Sequence, residues 1–175
     1  EGRQEKFVIC WFMKFFNVLR LLLLLSLLGV MTGCSYHYES VSWTEFIPPS
    51  TPNYFIICPS SSCNGHGHPS PVFPVSQANL FSVVKAVISK QPRTSIISID
   101  PTTSSLVAVQ RTLVFRFPDV IQIKVIPQSS HQSSILLYSK SVYGHYDLGV
   151  NQSRALLWVD LFSESLKESP MMHSS

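Results

Sequence analysis

Two clusters of residues have types and spacings that could do chemistry. The first is "CPSSSCNGHGHPS", where Cys58 and Cys63 stand five apart and His66 and His68 follow within the same eleven residues. Thiolates and imidazoles are ligands that zinc takes, and two cysteines this close could equally form a disulfide. The spacing C-x4-C-x2-H-x-H is unusual for zinc, and the histidines alternate around Gly67 in a Pro/Gly/Ser-rich loop. The second is "LLYSKSVYGHYDLGVNQSR", residues 136–154, which gathers Ser139, Ser141, His145 and Asp147 around Gly144, Gly149 and Asn151. Serine, histidine and aspartate are the parts of an acyl-transfer triad. Triads converge from separate segments, however, and no G-x-S-x-G elbow is present. There is no P-loop or dinucleotide fingerprint, so no cofactor is implied.

A reading without catalysis accounts for the same residues. Gly144 and Gly149 can take positive φ in a strand-to-helix turn. Asp147 and Asn151 can accept bonds from backbone N–H groups that would otherwise lack partners, with Asn151 at the N-cap of the following helix. Asp119, after Pro118, reads as a strand-turn residue rather than a base.

The elements that must position these groups are legible from periodicity. Ser76 is a good N-cap, Leu80, Val84, Val87 and Ile88 recur at helical spacing, and Pro92 stops the helix. Residues 94–99 and 105–110 are short β-branched strands around the turn signal "DPTT". In "LVFRFPD" Leu113, Phe115 and Phe117 alternate with Val114 and Arg116, and in "VIQIKV" Ile121, Ile123 and Val125 alternate with Gln122 and Lys124. Both read as half-buried strands, and residues 134–142 as a further one. After Asn151, the residues Ala155, Trp158, Val159, Phe162 and Leu166 mark a last amphipathic helix. The connections are too short for parallel crossovers. The expected fold is α+β: an antiparallel sheet of four to five strands packed against two helices in two layers.

Composition narrows the function classes. Of the 175 residues 45% are hydrophobic and 13% charged, which is too apolar for a disordered chain. The net charge of +3 is concentrated early. From Cys34 onward nine basic residues face eight acidic ones, which leaves no basic block for phosphates and no nucleic-acid partner.

The early residues explain that charge. "MKFFNVLRLLLLLSLLGVMTGC" places Lys14 and Arg20 before an apolar core from Leu21 to Val30, then Thr32, Gly33 and Cys34. That core has the length of a signal h-region and is short for a spanning helix. The small residues before Cys34 resemble a bacterial lipobox, with Met31 in place of the preferred Leu, and an uncleaved membrane anchor is the other reading. Acyl chains on Cys34 would contribute about 0.8 kcal/mol per buried methylene and hold the chain on a membrane. Ser35 after the cysteine resembles the default signal for the outer membrane, and the domain would face the periplasm. In that oxidising compartment a Cys58–Cys63 disulfide is simpler than a metal site, with free thiols and zinc as alternatives. Met13 is the expected start. Residues 1–12 read as a mis-assigned upstream extension, 13–33 as signal peptide, 34–53 as tether, 54–168 as a single domain and 169–175 as a frayed tail.

"CPSSSCN", "RTLVFRFPD" and "LYSKSVYGHYDLGVNQSR" resemble, in that order, three signatures of a bacterial family catalogued as domain of unknown function 1499. The matching positions are Cys58, Pro59 and Cys63, then Ser139, Ser141, Gly144, Asp147, Leu148, Gly149 and Asn151, over roughly residues 54–166. Tyr138 and Val142 stand where the family usually has arginines, and Pro118 replaces one of two paired aspartates. The resemblance supports the fold and the cysteine pair and implies no mechanism. The expected protein is a membrane-anchored envelope lipoprotein with a binding or structural role in the periplasm. The alternative is an envelope hydrolase with a site around Ser139, Ser141, His145 and Asp147.

Overall fold

The structure is a computed structural model that describes residues 43, 47–60, 62 and 67–168. Cys34, Cys63, His66, the leader and residues 169–175 lie outside the described residues. Eight elements follow in order: β1 (Tyr54–Cys58), β2 (His68–Pro69), α1 (Gln77–Ser89), β3 (Thr94–Asp100), β4 (Ser105–Arg111), β5 (Pro118–Pro127), β6 (Ser133–Ser141) and α2 (Val150–Glu168). The strands form one open sheet in the order β2-β1-β6-β5-β4-β3. The β3 to β6 run is an antiparallel meander, β1 adds antiparallel to β6, and β2 pairs parallel with β1.

The α+β class holds, while the sheet is larger than expected and mixed. β1 is "YFIIC", an apolar run without alternation, because both of its faces are covered. Period-two reasoning cannot distinguish such a strand from any short apolar run. β2 is two residues long and has no pattern to read. The segment read as a tether also contributes: Trp43 packs against a cluster of Ile56, Cys58, Leu136 and Tyr138, and Asn53 is buried.

The expected strand at "LVFRFPD" is a loop over residues 113–117. Thr112 donates its backbone N–H to the Phe117 carbonyl at 2.9 Å, and Phe117 returns its own to Thr112 Oγ1 at 2.9 Å. Arg116 takes φ 58°, so the alternation never meets a partner strand, and Leu113, Phe115 and Phe117 are exposed. The ladder resumes at Pro118, and "VIQIKV" lies inside the ten-residue β5.

Both helices cover one sheet face. α1 begins where expected, with Ser76 Oγ accepting from Asn79 N, and buries Leu80, Phe81, Val84, Val87 and Ile88. α2 lays Trp158 and Phe162 over Ile57, Ile121, Ile123 and Leu137 in a continuous apolar core. Burying side chains of this size stabilises the fold by about 1.5–3 kcal/mol each, and that drives the two layers together.

Candidate functional site

The apolar rows on the helix-covered face stop before the sheet does. Along β4 the inward positions run Leu106, Ala108, Gln110; along β5 they run Val125, Ile123, Ile121, Asp119; along β6 they run Ile135, Leu137, Ser139, Ser141. Register aligns Gln110 with Asp119 and Asp119 with Ser141. Asn53 extends the row, since the Ser141 N–H donates to the Asn53 carbonyl at 3.0 Å. A polar row therefore crosses the end of four neighbouring chain segments, one step beyond the core.

The N-terminal turns of α2 lie over this row. Asn151 and Arg154 share the buried stripe that continues as Ala155, Trp158 and Phe162. Arg154 forms an ion pair with Asp119, and both side chains are buried. It also donates from Nε to Gln110 Oε1 at 2.6 Å, and from Nη1 to Ser139 Oγ and Asn151 Oδ1 at 2.8 Å each. Asn151 Oδ1 accepts a further bond from the Ser139 hydroxyl at 2.7 Å. Its Nδ2 donates to the Asn53 carbonyl and Ser141 Oγ at 3.0 Å and to Asp147 Oδ2 at 2.7 Å. Two hydrogens serve three acceptors there, so one bond is shared. Asn53 Nδ2 reaches the carbonyls of Ser141 at 3.1 Å and Gly144 at 2.6 Å, which pins the turn after β6. Among the described residues no buried side-chain polar atom is left without a partner.

The turn itself is built by Asp147 and two glycines. Asp147 accepts from the backbone N–H groups of Asn151 at 2.8 Å and Gly149 at 3.2 Å. It thus satisfies donors that the start of a helix leaves orphaned. Asn151 is therefore not the N-cap. It sits inside the first turn, fully buried, and its side chain ties helix to sheet. Gly144 and Gly149 have φ of 89° and 79°, a region in which side chains are disfavoured.

The expected site residues are thus partly brought together. Ser139, Ser141, Asp147 and Asn151 share one hydrogen-bonded cluster. His145 stands outside it, exposed, its ring edge-on to Tyr146 at 4.6 Å, with no hydrogen bond to either serine or to Asp147. A serine nucleophile needs a base within hydrogen-bond reach. Here the Ser139 hydroxyl donates to an amide oxygen and faces a guanidinium. Asp119 is no strand-turn residue: it is a buried strand carboxylate. Arg154 and Gln110 escaped the sequence reading altogether. A signal existed, because Arg154 falls on the apolar stripe of α2 and Asp119 on the inward parity of β5, so two opposite charges both point at the core.

In the cysteine cluster, Cys58 is buried and disulfide-bonded. Cys63 and His66 lie outside the described residues. His68 is exposed on β2, its ring 5.9 Å from that of Phe55.

Comparison with known proteins adds little about chemistry. No curated protein matches the chain. Among solved structures, the chain is similar in part to the crystal structure of the di-domain ARO/CYC BexL from the BE-7585A biosynthetic pathway, at 12% identity and a TM-score of 0.34. That match covers 57% of this chain and spans 41% of the other, and a likeness so slight carries no argument. A family model described as "Protein of unknown function (DUF1499)" matches residues 48–162, which takes in the polar row, the capped turn and the buried stripe of α2, and the chain belongs to that family.

Proposed function

We propose that the chain is a cell-envelope lipoprotein, anchored through Cys34 and facing the periplasm, whose domain serves a binding or structural role. One observation carries the non-catalytic part of this reading. The groups that could have formed a hydrolytic site are already engaged in holding α2 on the sheet, and His145 is not among them. A buried network with every member satisfied rigidifies a fold. Among the described residues it leaves neither Ser139 nor Ser141 bonded to a histidine or carboxylate. Anchoring rests on the signal-like leader and on "MTGC" at residues 31–34. A disulfide between Cys58 and Cys63 fits the same oxidising compartment.

The test uses the chain expressed from Met13 in a Gram-negative host fed labelled palmitate, beside Cys34→Ala. Label is expected on the parent and not on the variant; equal labelling would remove the anchor. The same material is treated with a fluorophosphonate that captures nucleophilic serines. No adduct is expected. An adduct lost in Ser139→Ala or Ser141→Ala would establish the hydrolase in its place.

A further inference from the structure

The two ends of the sheet differ in character. At one end lie the β3–β4 turn and the β5–β6 turn, built of Thr102, Thr103, Gln128, Ser129 and Ser130. At the other lie the β4–β5 loop and the β6–α2 loop, roughly 30 Å away along strands of nine and ten residues. The first of these loops exposes Leu113, Val114 and Phe115, with Phe115 73% accessible and stacked on Phe117 at 5.6 Å. The second exposes Tyr143, Tyr146 and Leu148, the last 96% accessible. Phe117 meets Tyr143 edge-on at 5.9 Å, so the two loops form one patch.

Three arginines rim the patch. Arg93 just before β3 and Arg111 at the end of β4 flank it, and Arg116 lies within the apolar loop; among the described residues none pairs with a carboxylate. Among the described residues the two carboxylates near this end are engaged elsewhere, Asp119 with Arg154 and Asp147 with backbone N–H groups. The loops are also held in shape. The Arg111 guanidinium donates to the Arg116 carbonyl at 3.1 Å, and Arg93 Nε donates to the Arg111 carbonyl at 3.1 Å. Arg93, Arg116 and Leu148 all carry positive φ, a strained backbone that such residues rarely adopt.

Apolar and aromatic tips within a ring of cations match a bilayer interface with anionic headgroups. We propose that this end of the domain docks on the membrane surface, its loops entering the headgroup region of the leaflet that holds the lipid anchor. The proposal rests on the anchoring reading above for its geometry. Eight residues separate Cys34 from Trp43, which is packed on the domain, and the nine Cα–Cα steps between them reach roughly 30 Å at most. A domain tethered so closely must turn some face to the lipid, and the Thr/Ser/Gln end, where Val72 and Ile99 are exposed, carries no exposed Phe, Tyr or Trp among the described residues.

The full chain, expressed from Met13 and purified from membranes, is reconstituted into vesicles of phosphatidylethanolamine and phosphatidylglycerol. An environment-sensitive fluorophore is placed at Val114→Cys or, at the polar end, at Ser130→Cys; palmitate label on the same preparation reports the anchor separately. The probe at 114 should be blue-shifted and quenched by spin-labelled lipid, and the probe at 130 should not. Arg116→Ser should lower the docked-to-undocked ratio roughly fivefold, the weight of one arginine at an anionic surface. Equal, water-like signals at 114 and 130 in acylated material would overturn docking and leave the anchor standing. Shielding at 114 without lipid quenching would assign the patch to a protein or a second copy instead. If no acyl group is found, the same chain is added to preformed vesicles, and absence of lipid quenching at 114 there overturns the proposal as well.

Discussion

Asp119→Ala probes the polar row most directly. Asp119 is 2% accessible and forms an ion pair with Arg154, itself 7% accessible. Removing one partner of a buried pair costs about 3–5 kcal/mol, because the other charge stays behind in a poor solvent. Arg154 would keep its neutral acceptors on Gln110, Ser139 and Asn151. The lower part of that range, about 3 kcal/mol, is therefore expected. Unfolding entropy of about 2.1 cal/mol/K per residue, over a domain of about 115 residues, converts this to a fall in Tm of about 12 °C. The double variant Asp119→Leu/Arg154→Met removes both charges and leaves apolar groups against the core. It should recover much of the loss, since replacing a whole buried pair is often neutral. Urea unfolding followed by circular dichroism, with thermal melts alongside, measures both. If Asp119→Ala lost under about 1 kcal/mol, or the double variant were less stable than the single, the buried-pair argument would be wrong.

Two further outcomes follow from the turns. Gly149→Ala should destabilise by about 1–2 kcal/mol through backbone strain alone, since φ is 79° and no atom lies within 4 Å of the added methyl; a melt matching the parent would show that the turn relaxes. Asp100 accepts hydroxyl bonds from Thr102 at 2.5 Å and Thr103 at 2.7 Å, which lower its pKa from 3.8 to about 2. Its contribution is therefore fully present above the ordinary carboxylate range and is lost as pH falls through about 2. An NMR titration of the Asp100 carboxyl should find its midpoint near 2, and a midpoint near 4 would mean that the threonines do not hold it.

Much of this protein is a direct consequence of residue order. Ser76 and Pro92 bracket α1 because a side-chain acceptor and a missing N–H act over a few residues. The alternation in "VIQIKV" and the stripe of Ala155, Trp158 and Phe162 name the faces that are buried, since side-chain direction follows local periodicity. Alternation alone failed at residues 113–117, where the exposed loop has the pattern of a strand but no neighbour to pair with. β1 and β2 needed partners distant in sequence, Leu137 to Lys140 for β1 and β1 itself for β2. Which members of the polar row meet was decided by tertiary structure. Asn53, Gln110, Asp119, Ser139, Ser141, Asn151 and Arg154 come from five separate segments, and strand register and the seating of α2 put them within hydrogen-bond distance. Residue type states what a side chain can donate or accept, but only the folded chain decides which of the possible partners is there to meet it.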